Sequence, residues 1–83
     1  MKIEEKVKQI LAMLSGVETV GDEAVLQDDL ALDSLLMVTM LIEIEDAFGI
    51  TLDESDMNPF ALTTVRDVTE LVRKYTAGGE DNG

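Results

Sequence analysis
Neither cysteine nor histidine occurs in this sequence. Their absence excludes disulfides, a thiolate nucleophile, a zinc finger and a Ser-His-Asp triad. Conventional self-contained hydrolase chemistry is therefore not expected, and the chain reads as a non-enzyme. Any thiol chemistry would have to come from an attached group. Tryptophan is absent too, and the aromatics are Phe48, Phe60 and Tyr75. A core built with so few must be mostly aliphatic with methionine as filler, which suits helices.

Basic residues are scarce. Six Lys and Arg stand against 18 Asp and Glu, a formal net charge of -12. All six lie either at or before Lys8 or from Arg66 onward, so every charge between is acidic. This balance disfavours nucleic acid and anionic membrane surfaces as partners. It favours partners with basic patches and fast, salt-sensitive encounter. Long apolar runs are missing as well. No signal-type or membrane-spanning segment is visible, so no membrane insertion is expected and the cytoplasm is the expected location.

What is present suffices for one domain. The chain has 83 residues, 46% of them apolar. That allows one modest core and argues against a disordered acidic chain. The spacing places a domain over residues 1–76 and a flexible tail over 77–83, where Gly78, Gly79, Glu80 and Asp81 stand.

In chain order, Ile3, Val7, Ile10, Leu11 and Leu14 form a helical stripe ended by Ser15-Gly16. Glu4 and Lys8 make a favourable i,i+4 pair on its polar face. Gly16 to Asp33 has no sustained period and is long for a connection. Its valines and leucines would anchor it to the core. Next, Leu35 to Phe48 runs without Gly or Pro. At 100° per residue, Met37, Leu41, Ile44 and Phe48 share a core face, with Met40 and Ala47 beside them. Leu35, Val38 and Ile42 form a second apolar strip. Such a helix has either two buried sides or a side that binds a partner. Glu45 lies close in angle to Ser34 and would add a charge to the rim of that side, while Thr39, Glu43 and Asp46 form a narrow polar face.

Gly49 turns the chain, and Ile50 to Asp53 reads as an extended connector. Ser55 or Asp56 is placed to cap a short helix over Met57 to Ala61, with Pro59 in its first turn. Asp53 to Thr64 fails as a calcium loop, because Asn58 and Thr64 stand where Gly and Glu are required. Thr64 with Asp67 suggests a shortened capping box for a last helix. Its stripe is Val65, Val68, Leu71, Val72 and Tyr75, with Arg73 and Lys74 in the last turn.

Ser34, in Leu32-Asp33-Ser34-Leu35, opens the second helix. Either Asp33 or Ser34 could serve merely as its cap. A serine hydroxyl exposed there would sit at the positive end of the helix dipole, which favours an attached phosphate. Three amphipathic helices plus a short one, a long first loop, Asp33-Ser34-Leu35 and strong acidity coincide here. So do Asp29-Leu30, Phe48 closing helix two and Thr63-Thr64-Val65 opening the last helix. Together they resemble the acyl carrier protein family across about Ile3 to Tyr75.

The resemblance implies an all-α, four-helix bundle of acyl-carrier type with a long first loop and a short third helix. It implies that a phosphopantetheinyl transferase attaches 4'-phosphopantetheine from coenzyme A to Ser34. The transferase and its magnesium would supply the activation, so the chain needs no base and no metal of its own. The arm would hold acyl groups as thioesters and present them to acyl-transferring, condensing or modifying enzymes. Asp33, Leu35, Val38, Ile42, Glu45 and Asp46 are the expected partner-binding residues on a monomer. One departure concerns pathway. Leu36 and Thr39 stand where fatty-acid carriers usually show acids, which admits a polyketide or other specialised pathway equally. The alternative function is an acidic helical adaptor that binds through Leu35, Val38 and Ile42 without a covalent group.

Overall fold
The computed structural model describes residues 2–76. The tail expected over 77–83 lies outside the described residues. Three α-helices carry the fold: α1 (Ile3–Ser15), α2 (Ser34–Phe48) and α3 (Val65–Thr76). Two single 3-10 turns, Glu54–Asp56 and Pro59–Ala61, lie between α2 and α3. Among the described residues there is no strand, only an isolated bridge between Val25 and Thr64.

Helices α1 and α2 end where their sequences direct. Gly16 and Gly49 adopt left-handed φ values of 78° and 65°, which residues with a Cβ rarely take. Their N–H groups close back on Ala12 and Glu45 carbonyls. The start of α3 is the expected reciprocal cap. Asp67 Oδ2 accepts from Thr63 N at 2.9 Å and Thr64 N at 3.1 Å, and Thr64 Oγ1 accepts from Asp67 N at 3.3 Å.

Those backbone hydrogen bonds hold the Asp67 carboxyl below its ordinary value of 3.8. A depressed carboxyl stabilises the fold above its unfolded value, and that stabilisation is lost as pH falls through the folded one. Asp67→Asn should therefore destabilise at neutral pH. The gap from wild type should close as pH drops below the ordinary carboxylate range. Urea midpoints of both proteins across pH 7 to about 3 would show it; a gap independent of pH would contradict it.

The core sits where the three helices and the loop meet. Val7 and Leu11 of α1, Met37 and Leu41 of α2, and Val65 and Val68 of α3 are fully buried. Leu26, Leu30 and Leu32 bring the long loop into the same cluster. That loop is also tied to the start of α3: Leu26 N donates to Thr63 O, Val65 N to Ala24 O and Arg66 N to Asp22 O. So the Gly16–Asp33 connection is a packed element and satisfies its backbone there.

The short helix expected over Met57 to Ala61 is replaced by the two 3-10 turns. Pro59 brings no N–H and biases Asn58 away from helical backbone, so no continuous α-turn forms. Neither Ser55 nor Asp56 caps the second turn. Asn58 Oδ1 does, accepting from Phe60 N at 3.0 Å. Asp56 instead accepts from the Tyr75 hydroxyl and from Lys74 Nζ. The hydrogen bond from Tyr75, then that from Lys74, holds the Asp56 carboxyl below its ordinary range. Tyr75 Oη in turn accepts from Asp53 N at 2.8 Å. A residue expected in the buried stripe of the last helix thus fastens the 53–56 segment to α3.

The Glu4–Lys8 pair also resolves differently. Lys8 reaches Asp22 at 3.0 Å, and Glu4 meets Arg73 at 3.6 Å. Arg66 pairs with Glu23, and Lys74 with Asp56. Pairs this exposed contribute little to stability. Their consequence is placement: the cations are gathered along α1 and α3, and Lys6 lies over the Phe48 ring at 5.2 Å.

Candidate functional site
The approach to α2 decides which side chains face water. Leu30 and Leu32 are buried, while Ala31, Asp33 and Ser34 are exposed. The alternation draws the chain onto the core through the leucines and leaves the next two positions outside. Asp29 Oδ2 accepts from Val25 N at 2.8 Å and Leu32 N donates to Leu26 O at 3.0 Å, so the approach is fixed on both flanks.

Ala31 takes φ 55°, a left-handed backbone at a non-glycine residue, three positions before Ser34. For an L-residue this conformation costs about 1–2 kcal/mol, against roughly 0.5–1 kcal/mol of extra chain entropy for glycine. Ala31→Gly should accordingly raise stability, by up to about 1 kcal/mol. A urea midpoint unchanged or lowered would refute the strain at this position.

At the helix start the two candidates for a cap separate. Asp33 is the N-cap, and its Oδ1 accepts from Leu36 N at 2.9 Å. Ser34 is the first helical residue. Among the described residues no hydrogen bond uses its hydroxyl. An exposed, unengaged hydroxyl therefore stands in the first turn of a helix of 15 residues, beside backbone N–H groups that favour an anion. A phosphodiester fits there without displacing any side-chain contact.

Beside Ser34 lies an apolar surface. Leu35 is 74% exposed, Val38 38% and Ile42 49%. Neither the loop nor the second 3-10 turn covers them, although that turn packs against α2. Asp46 is exposed on the same helix, and no acid occupies its first turn. Thr39 Oγ1 is occupied with Leu35 O at 3.0 Å. Glu45 also serves the fold. It is half-buried, and its Oε2 accepts from Leu52 N at 2.8 Å, holding the outgoing connector to the helix. The structure thus brings Asp33, Ser34, Leu35, Val38, Ile42 and Asp46 to the surface and turns one oxygen of Glu45 to a structural use.

Phe60 escaped the sequence reading. It is 66% exposed on the second 3-10 turn. Its one sequence signal is the preceding Pro59, which breaks the helix that could have buried it.

Comparison with known proteins fits this geometry. A family model described as a phosphopantetheine attachment site matches residues 5–72. The acyl carrier protein of Desulforapulum autotrophicum is 44% identical over 77 residues, covering 89% of this chain and 97% of that protein. The acyl carrier protein of Thermotoga maritima is 36% identical, covering 88% and 90%. A non-reducing polyketide synthase of Emericella nidulans is 39% identical over 83 residues, which span 98% of this chain and 3% of that protein. With a match over nearly all the described helices and relatives matched along almost their full length, the chain belongs to the acyl carrier family of phosphopantetheine-binding proteins.

Proposed function
We propose that Ser34 carries the 4'-phosphopantetheine of this chain, and that the loaded protein holds acyl groups for enzymes of a fatty-acid, polyketide or other specialised lipid pathway. One observation carries the assignment: the Ser34 hydroxyl is exposed and unengaged, while Asp33 does the capping. When bound, the group supplies a terminal thiol on which acyl groups ride as thioesters.

The chain's own part is positional. Ser34 Oγ offers the acceptor hydroxyl to a phosphopantetheinyl transferase, which with coenzyme A and magnesium supplies the activation. Asp33 sets the helix start and so the direction of that hydroxyl. The α2 dipole and free N–H groups stabilise the phosphodiester charge once it is formed. Leu35, Val38 and Ile42 give enzymes an apolar surface beside the arm, with Asp33, Asp46 and the outer edge of Glu45 as its acidic rim. Partners with basic patches fit that rim. The protein is a carrier and leaves catalysis to those partners. The two 3-10 turns stand for the third helix of a four-helix carrier bundle, and the net charge of -12 opposes self-association, in keeping with a monomer. Among the described residues no helix is long and apolar enough to cross a membrane.

The test is mass spectrometry after incubation with a transferase and coenzyme A. The protein should gain one arm, and fragmentation should place it on Ser34. An unchanged mass with several active transferases, or an arm elsewhere, would overturn the assignment. The exposed strip equally suits an adaptor that binds through Leu35, Val38 and Ile42 with no covalent group; an unloaded chain that still binds a partner would favour that reading.

A further inference from the structure
The long segments between the helices are secured in different ways. Residues 17–33 bury Val20, Leu26, Leu30 and Leu32. Their backbone is also bound to the start of α3, through Leu26 N to Thr63 O, Val65 N to Ala24 O and Arg66 N to Asp22 O. Residues 53–62 have neither kind of anchor. Among the described residues of that segment none is buried; Met57 and Leu62 lean on the core and stay partly exposed. Its backbone hydrogen bonds close within itself: Asp56 N to Asp53 O, Met57 N to Glu54 O and Ala61 N to Asn58 O. The second 3-10 turn lies against α2 with no hydrogen bond to it among the described residues.

The ends of the segment are pinned. Upstream, Leu52 is buried and Glu45 Oε2 accepts from its N at 2.8 Å. Downstream, Asp67 Oδ2 accepts from Thr63 N and Thr64 N.

Between those ends, the polar ties to the body come from the last turn of α3. Tyr75 Oη accepts from Asp53 N at 2.8 Å and donates to Asp56 Oδ2. Asp53 is the N-cap of the first 3-10 turn and Asp56 its last residue, so one hydroxyl grips both ends of that turn. Lys74 Nζ adds a grip on Asp56 at 3.0 Å. Its side chain is 62% exposed, so water and salt weaken that pair. Tyr75 is half-buried, with its ring packed on the core. Among the described residues no other side-chain hydrogen bond or ion pair joins 53–62 to another element.

Little burial and solvent-facing hydrogen bonds mark a segment that opens before the whole domain does. We propose that residues 53–62 form a strap that opens between Leu52 and Thr63 without global unfolding, and that the Tyr75 hydroxyl is the clasp that sets how often it opens. Opening bares the surface beneath Met57 and Leu62 and uncovers the part of α2 under the second turn. The clasp therefore governs access to a flank of the helix that bears Ser34. The device stands whichever residue carries the arm.

Native-state hydrogen exchange on the unloaded full chain tests it. In wild type the Asp56, Met57 and Ala61 amides should be protected about tenfold less than those of Leu11, Leu41 and Val68. Urea below the unfolding midpoint should erode protection of the core amides and leave the strap amides unchanged, because opening the strap exposes little surface. Tyr75→Phe keeps the ring and removes the hydroxyl. It should lower protection of all three strap amides by roughly fivefold, as for one lost hydrogen bond to a carboxylate. Ala61 is the critical one, since its own bond to Asn58 O does not involve Tyr75. Limited proteolysis of the folded chain gives a second reading: cleavage within 53–62 should rise by a similar factor in Tyr75→Phe. Strap amides that lose protection with urea as steeply as the core would mean that the segment opens only on global unfolding, and the strap would be overturned. Ala61 protection and cleavage unchanged in Tyr75→Phe would overturn the clasp.

Discussion

Ser34→Ala is expected to abolish loading completely and to leave stability within about 0.5 kcal/mol of wild type. The two halves of that result follow from one piece of geometry. Ser34 is exposed and its hydroxyl makes no hydrogen bond among the described residues, so alanine removes nothing that the folded state uses. Alanine is also the best helix former, which suits the first turn of α2. Asp33→Ala should behave oppositely. It removes the carboxylate that holds Leu36 N at 2.9 Å, and an N-cap of this kind contributes about 0.5–2 kcal/mol. Loading should persist in Asp33→Ala at a reduced rate, because the acceptor remains on a helix whose first turn frays. Intact mass and thermal melts on the two variants check this. If Ser34→Ala melted as low as Asp33→Ala, the serine would be part of the cap, and the division of roles between the neighbours would fail.

The division between Asp33 and Ser34 was not resolvable from their order in the chain, since both are good capping residues. It turns on which oxygen reaches Leu36 N. Much else about α2 was legible. Placing residues at 100° intervals puts Met37, Leu41 and Ile44 on one face and Leu35, Val38 and Ile42 on another, and the structure buries the first set and exposes the second. Periodicity registers which residues share a face because that depends only on helix geometry. It does not register which chain segments meet. Lys8 was near Glu4 in sequence, yet Asp22 lies in reach once the loop folds over. Nor does periodicity register that one oxygen of Glu45 takes Leu52 N. The third helix failed for a local reason that was visible in part. Pro59 is compatible with a first helical turn, but it biases Asn58 away from helical backbone, and the segment forms two separate 3-10 turns. The exposure of Phe60 follows from that split.

Leu41 and Ile42 offer the sharpest contrast between core and surface, because they are neighbours of nearly equal size and hydrophobicity. Leu41 is fully buried and Ile42 is 49% exposed. Leu41→Ala should destabilise by about 2–5 kcal/mol, the sum of lost transfer free energy and the cavity left in the shared core cluster. A domain of this length has roughly 4–12 kcal/mol in all, so the variant should melt far lower and be partly unfolded near physiological temperature. Ile42→Ala should change stability by no more than about 1 kcal/mol, since the lost partial burial is offset by alanine's helix propensity. It should instead weaken acceptance by the enzymes that act on the arm. Urea midpoints on the unloaded proteins isolate the stability term from any effect of cargo. Equal losses at the two positions would mean that α2 is buried on both sides, and the apolar strip beside Ser34 would then be core and not a docking surface.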